Sequence, residues 1–519
     1  MKKLFAALVL GLMAAAPASA KWYEASSEHF VIYADDSEKD ILEFAQNLEK
    51  YHSAMSVVTG REIATPSPSN RVVIFVAGGQ SDIRELSRGS SNVAGFYIPR
   101  AGGSRAFVQD IQNKKGYPSF STVVLLHEYA HHFLISSSRF AMPLWLSEGA
   151  AEFFAASSFN SDGSMQVGRP ALHRSAELAY ADDVSALELL DSEEYEKKKG
   201  KRGDAFYGKS WALYHMMIFD EARKGQLNNY WQLLSTGSSS IDAAREAFGD
   251  IEALDKDLTR YLKQRRMFNL RLKPEWLPEK PIALRELPEG EAKMMDVRMV
   301  SQRGVTREEA LELVVKAREI AAKYPGDAGV QVALAEAEFD AGNSEAAVIA
   351  ADAAIALDPA RPNAYVQKGY AQFRMAEDAE DKNAAYGEAM KTFSALNKIE
   401  NDHPVPLIYY YRSFIMRGRE PNETARHALE WAAELAPFDQ GLAMNAALMQ
   451  AREGKIALAK VGLSPVANNP HGGSLATTAK TYLALLGEAE EGKPWHPKAA
   501  IETVLEAIEV VVPGDEGEE

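Results

Sequence analysis

The chain has 519 residues, and against roughly 150 residues per domain that length calls for more than one folded unit. Hydrophobic residues at 46% and charged residues at 25% exclude both wholesale disorder and a polytopic membrane protein. A net charge of -16 leaves no global field for nucleic acid or anionic lipid, and the absence of cysteine means that any metal must be held by His and carboxylates.

Lys2 and Lys3, the apolar run Leu4 to Ala16 and the small residues Ala18-Ser19-Ala20 predict a secretory signal over residues 1–20, cleaved near Ala20. The run is shorter than the ~20 apolar residues that span a bilayer, so no stable membrane insertion follows cleavage. A periplasmic or secreted protein is expected. Phe30 to Tyr33 then reads as a short strand, Ile41 to Met55 as a helix, and Arg71 to Val76 as a buried strand. Gly95 to Ile98 and Arg105 to Val108, separated by Pro99 and Gly102-Gly103, predict a hairpin. After Pro118 the pattern is almost wholly helical.

Val123, Leu126, Ala130, Phe133 and Leu134 set the spacing of a buried amphipathic helix. His127 and His131 are one turn apart on it and can reach one ion, which is half of a zinc site. Glu128, beside the first of them, can instead serve as general base toward the water that the ion activates. A second helix begins near Pro143, with Glu148 and Glu152 four residues apart on one face. Burying carboxylates is costly without a cation or partner, so Glu148 is expected as the third ligand. The fourth position stays open for water. Glu152 is placed to accept a hydrogen bond from the other ring nitrogen of a ligand histidine.

Together, His127-Glu128-Tyr129-Ala130-His131 and Trp145-Leu146-Ser147-Glu148-Gly149 resemble the gluzincin metallopeptidases, which include aminopeptidase N-like and thermolysin-like enzymes. The resemblance implies one zinc ion on His127, His131 and Glu148, Glu128 as the base, and a second carboxylate at Glu152 supporting a ligand. It covers residues 120 to 155 well and the rest of the first domain loosely. Sixteen residues separate His131 from Glu148, slightly fewer than in well-known members, and no Gly-x-Met-Glu-Asn segment is present. The amino-terminus recognition of the aminopeptidases is therefore not carried over.

Farther on, Phe206 to His215 introduces another apolar helix, and Tyr207 at its start is chosen to stabilise an oxyanion, with His215 as runner-up. Pro274, Pro278, Pro281 and Pro288 resist helix and central strand, so residues 269–298 are expected to be a linker. Helical segments then end at Pro325, Pro359, Pro404, Pro437 and Pro470, spaced 34, 45, 33 and 33 residues apart. That period resembles a degenerate tetratricopeptide array, with an insertion in the longer interval. Leu334, Ala335, Ala347 and Ala354, and later Ala425 and Ala432, occupy its small packing positions.

The expected fold is an α+β zincin-like peptidase domain over 21–268 and an all-α tetratricopeptide-like repeat domain over 299–490. A terminal helix and acidic tail follow over 491–519. The expected function is zinc-dependent hydrolysis of peptide bonds in a peptide or protein substrate, with a protein partner or the substrate docked on the repeats. Nucleic acid is not expected as a partner. The alternative is a catalytically inactive protein-binding scaffold built on the array.

Overall fold

A computed structural model describes residues 21–89, 93–111, 118–138, 140–198, 203–469 and 471–497. The expected signal segment over 1–20, Pro470, and residues 498–519, on which most of the expected terminal helix and the acidic end fall, lie outside the described residues.

Two sheets belong to the first half. The larger joins β1 (Tyr23–Ser26), β2 (Phe30–Ala34), β3 (Val72–Val76), β4 (Gly95–Ile98) and β5 (Arg105–Val108) to the far later β9 (Ala283–Glu286). Its strand order is β4-β5-β3-β2-β1-β9, and β9 pairs antiparallel with β1, Tyr23 opposite Glu286. The centre is parallel, with Phe30 opposite Val72 and Ile74 opposite Ala106, while β4 and β5 form the expected hairpin. The smaller sheet has β7 (Met165–Val167) between β6 (Ser158–Phe159) and β8 (Leu270–Leu272).

The near-continuous apolar runs of β2 and β3 follow from burial on both faces. On one face Ile32, Ile74 and Ala106 pack with Leu48 of α1 (Glu38–Thr59) and with Leu126 and Phe133 of α3 (Phe120–Ser136). On the other, Val31, Tyr33, Phe75 and Phe107 meet Ile83 and Leu86 of α2 (Gln80–Leu86) and Met295 and Met299 of α13 (Met295–Gln302). The helices between these include α4 (Leu144–Ala155), α5 (Ser175–Tyr180), α6 (Ala186–Leu190), α7 (Ser192–Lys198) and α8 (Phe206–Phe219). Then come α9 (Gln226–Ser235), α10 (Ser240–Phe248), α11 (Ile251–Leu262) and α12 (Glu289–Lys293).

Residues 269–298 are not an open linker. They supply β8, β9 and α12, begin α13, and bury Leu272, Leu287 and Met295 in the first half. Both strands sit at sheet edges, where neighbouring prolines cost no interior ladder bond.

The rest is a helical repeat. A lead helix α14 (Arg307–Lys323) precedes the hairpins α15 (Ala328–Asp340) with α16 (Ser344–Leu357) and α17 (Pro362–Glu377) with α18 (Lys382–Ile399). They continue as α19 (Pro404–Met416) with α20 (Glu423–Leu435), α21 (Gln440–Arg452) with α22 (Ile456–Ala467), and a last helix α23 (Gly473–Gly487). Ala335, Ala347, Ala354, Ala425 and Ala432 are fully buried, where only small side chains let helix axes approach. The added length before Pro404 is carried in part by α17 and α18, which are longer than α15 and α16.

Helix α13 and, from the array, α15, α17 and α19 turn toward the large sheet across a cavity of about 660 Å³. Glu400 accepts from the Ser69 amide at 2.9 Å and its hydroxyl at 2.8 Å. Asp439 accepts from the Ala101 amide at 2.9 Å, and Asn70 donates to the Leu435 carbonyl at 2.7 Å. The two halves are thus packed together, and the face of the array toward the sheet is partly covered by this chain's own first half. Among the described residues no helix is long and apolar enough to cross a membrane.

Candidate metal centre

Helix α3 starts at Ser119, whose hydroxyl caps the Thr122 amide at 3.3 Å. It carries His127 and His131 into the interior, both buried. Helix α4 packs beside it, and α8 lies against the far side of α4 so closely that a Cβ at Gly149 would strike the Ser210 carbonyl oxygen. Gly149 therefore fixes the depth at which Glu148, the residue before it, is held.

The three predicted ligands converge. His127 Nε2 is 3.1 Å from His131 Nε2, and the two lie 3.3 and 3.5 Å from Glu148 Oε2. Zinc bonds of about 2.0–2.1 Å imply tetrahedral edges of roughly 3.3–3.4 Å, so these three atoms are spaced as ligands of one ion. Glu148 is 0% exposed and neither of its oxygens has a hydrogen-bond partner. A buried carboxylate in that condition suits a cation.

Helix α4 also sets the outer nitrogens of both rings. Ser147 Oγ pairs with His131 Nδ1 at 3.1 Å, and Glu152 Oε1 lies 3.2 Å from His127 Nδ1. Each ring is thereby oriented with Nε2 toward the common point. Burial alone would lower the His127 imidazole, but the Glu148 and Glu152 carboxylates outweigh it and push it up to about 10. In the metal-free chain this ring holds a proton that an entering cation must displace.

Glu152 does more than the sequence indicates. It also accepts from Arg174 Nε at 2.9 Å and meets His173 Nε2 at 2.5 Å. Both partners come from a single 3-10 turn, Leu172–Arg174. They have no helical spacing to the motif, so only their adjacency as two basic residues could draw notice. Arg174 also lies over the Tyr207 ring at 4.7 Å, and Glu177 accepts from the Gly208 amide at 2.7 Å, which fixes the first turn of α8. Tyr207 is half-buried. Burial first, then the Glu148 charge, raise its phenol above the ordinary value, so it remains a proton donor. Glu128 is also half-buried, and its charge acts on Tyr207 and on His471.

Two histidines are structural. His215, the runner-up to Tyr207, is fully buried, with Nδ1 2.7 Å from the Tyr261 hydroxyl and Nε2 3.0 Å from the carbonyls of Gly168 and Phe268. Burial lowers it to about 4. It holds the core together and has no nitrogen to offer a substrate. His132 turns away from the ligands, to the Tyr97 hydroxyl at 2.6 Å and the Phe438 ring of the array at 4.4 Å.

One more histidine reaches the site, from outside both motifs. His471, between α22 and α23, places Nε2 3.4 Å from Glu148 Oε1 and its ring edge-on to His131. One ligand atom from each of His127, His131, Glu148 and His471 falls within 4.8 Å of every other. Nothing local in the sequence links His471 to the motif.

Residues 120–239 match a family described as "Protein of unknown function (DUF1570)". The match spans α3, α4, the His173-Arg174 turn and Tyr207, and stops well before His471. No curated protein matches the chain. Among solved structures, the chain is similar to TTC0263, a thermophilic TPR protein of Thermus thermophilus. The TM-score is 0.32 at 13% identity, covering 37% of this chain and 97% of that one. A second similarity, to the MamA RS-1 ArsTM double mutant, has a TM-score of 0.26 at 16% identity and covers 38% and 96%.

Proposed function

We propose that this chain is a zinc-dependent metallopeptidase whose first half is zincin-like and whose helical repeats dock the substrate or a protein partner. The observation that carries this reading is Glu148, fully buried with no hydrogen bond to either oxygen and facing two imidazole Nε2 atoms. One zinc ion would be held by His127, His131 and Glu148. Bound there, zinc supplies Lewis acidity toward a carbonyl oxygen and makes water a stronger acid.

The chain's own groups supply the rest. Glu128 takes the proton of the attacking water as its oxygen bonds to the carbonyl carbon, and returns it to the amide nitrogen as the C–N bond breaks. Tyr207 donates a hydrogen bond to the carbonyl oxygen as negative charge grows on it. Glu152 and Ser147 hold the two imidazoles in one orientation, and His127, His173 and Arg174 hold Glu152 ionised. Signal cleavage near Ala20 would put this chemistry in the periplasm or outside the cell.

The test is metal content together with cleavage of a peptide library. Wild type should carry one zinc, Glu148→Ala should lose most of it, and Glu128→Gln should keep it without cleaving. Full zinc in Glu148→Ala would sink the assignment. A second reading, a catalytically inactive protein-binding scaffold, draws on the 3.4 Å approach of His471 to Glu148, which crowds the position a substrate needs. Library cleavage by wild type at no more than the Glu128→Gln rate would favour it.

A further inference from the structure

The first half provides three ligand atoms, and a tetrahedral ion has a fourth position. His471 stands beside that position. Its Nε2 is 3.4 Å from the Glu148 oxygen that does not face His127 and His131, and its ring meets that of His131 edge-on with centroids 5.7 Å apart. The side chain is 49% exposed, so packing does not force it inward. Its backbone is steered locally, since the His471 amide donates to Asn469 Oδ1 at 2.7 Å. The segment is part of the last helical pair, whose core of Leu463, Val466, Ala479 and Tyr482 belongs wholly to the array.

We infer that His471 is a fourth protein ligand of the metal, supplied by the repeat array, so that the resting chain holds its ion closed and the array governs access to it. This rests on the reading of His127, His131 and Glu148 as a metal site. Three nitrogens and one carboxylate oxygen fill a tetrahedral shell and leave no place for water. A ligand lying some hundreds of residues from the others in sequence, on an exposed loop, is also the one most easily withdrawn. Withdrawal of the His471 imidazole would exchange it for water and convert a closed centre into an open one.

The experiment uses the full chain stripped of metal and reloaded with one equivalent of Co²⁺, whose visible spectrum reports its ligands. Affinity is read in parallel by competition with a chromophoric chelator. Wild type and His471→Ala are compared, with and without added imidazole. The expected result is a changed Co²⁺ spectrum in His471→Ala, a metal affinity lower by about tenfold or more, and recovery of the wild-type spectrum when imidazole is added. One bound Co²⁺ with the same spectrum and affinity in both proteins overturns this inference and leaves the three-ligand site standing. Failure of wild type to bind Co²⁺ or Zn²⁺ overturns the metal site itself, and this inference with it.

Discussion

Glu49 and Glu148 are both fully buried carboxylates beside histidines, and they are built in opposite ways. Glu49 accepts from the Ser27 hydroxyl at 2.6 Å and the His29 amide at 2.9 Å, and pairs with His29 Nδ1 at 2.8 Å. The cluster continues outward as His29 stacked on His52, which meets the Tyr129 hydroxyl at 2.7 Å. The Glu49 carboxylate and one nitrogen of each ring there have polar partners, and burial lowers His52 to about 3, so it stays neutral. Glu148 has ring nitrogens around it and no hydrogen bond. The difference separates a polar cluster that stabilises a fold from one whose geometry suits a cation, although both include histidines near α3.

The comparison breaks most visibly at the metal. Glu148→Gln should abolish stoichiometric zinc, measured by metal analysis. Glu128→Gln comes next: zinc and the melting temperature are retained, and peptide cleavage falls by ~10²–10⁴-fold. Glu49→Gln should instead keep zinc and lose stability. Breaking its pair costs about 3–5 kcal/mol in urea unfolding whether or not metal is present, and unchanged stability would remove the distinction drawn here.

Smaller effects sharpen it. Glu152→Gln should weaken metal affinity or activity by ~10–100-fold, since the His127 ring loses the group that orients it. In the metal-free chain His127 is raised to about 10, above its ordinary value, so it is protonated at neutral pH. Metal binding must then expel a proton, and affinity should rise with pH across the neutral range, levelling as pH passes the raised value. Calorimetry in buffers of different ionisation enthalpy counts the proton. The same sign means that the stabilising His127 ion pairs in metal-free protein are intact below its unfolded value of 6.5 and are lost as pH climbs toward 10.

The parts of the site that sequence can disclose are those tied by helical period. His127 and His131 are neighbours because of a four-residue step, and Glu148 and Glu152 for the same reason. Helices α1 and α3 and strands β2 to β5 are readable from apolar patterning, as is the hairpin repeat from its recurring prolines. Tertiary partners are not. His173 and Arg174 reach Glu152 from a 3-10 turn, and His471 reaches Glu148 from the far end of the array, with no periodicity to carry the signal. Tyr207 stands out only for its place at a helix start, which says nothing of its contact with Arg174. The proline-rich stretch misleads for a physical reason: prolines argue against central strands, whereas β8 and β9 are edge strands.

The pairing of β1 with β9 has a consequence for synthesis. Ser26 ends β1 and Ala283 begins β9, so the ribosome completes one edge of the pair long before it makes the other. At ~5–20 residues per second, the interval is on the order of tens of seconds. During that time the nascent chain carries a strand with an unpaired row of amides and carbonyls, the kind of edge that recruits foreign strands. Holding β1 apart until β9 arrives would be a task for whatever chaperone accompanies the nascent chain.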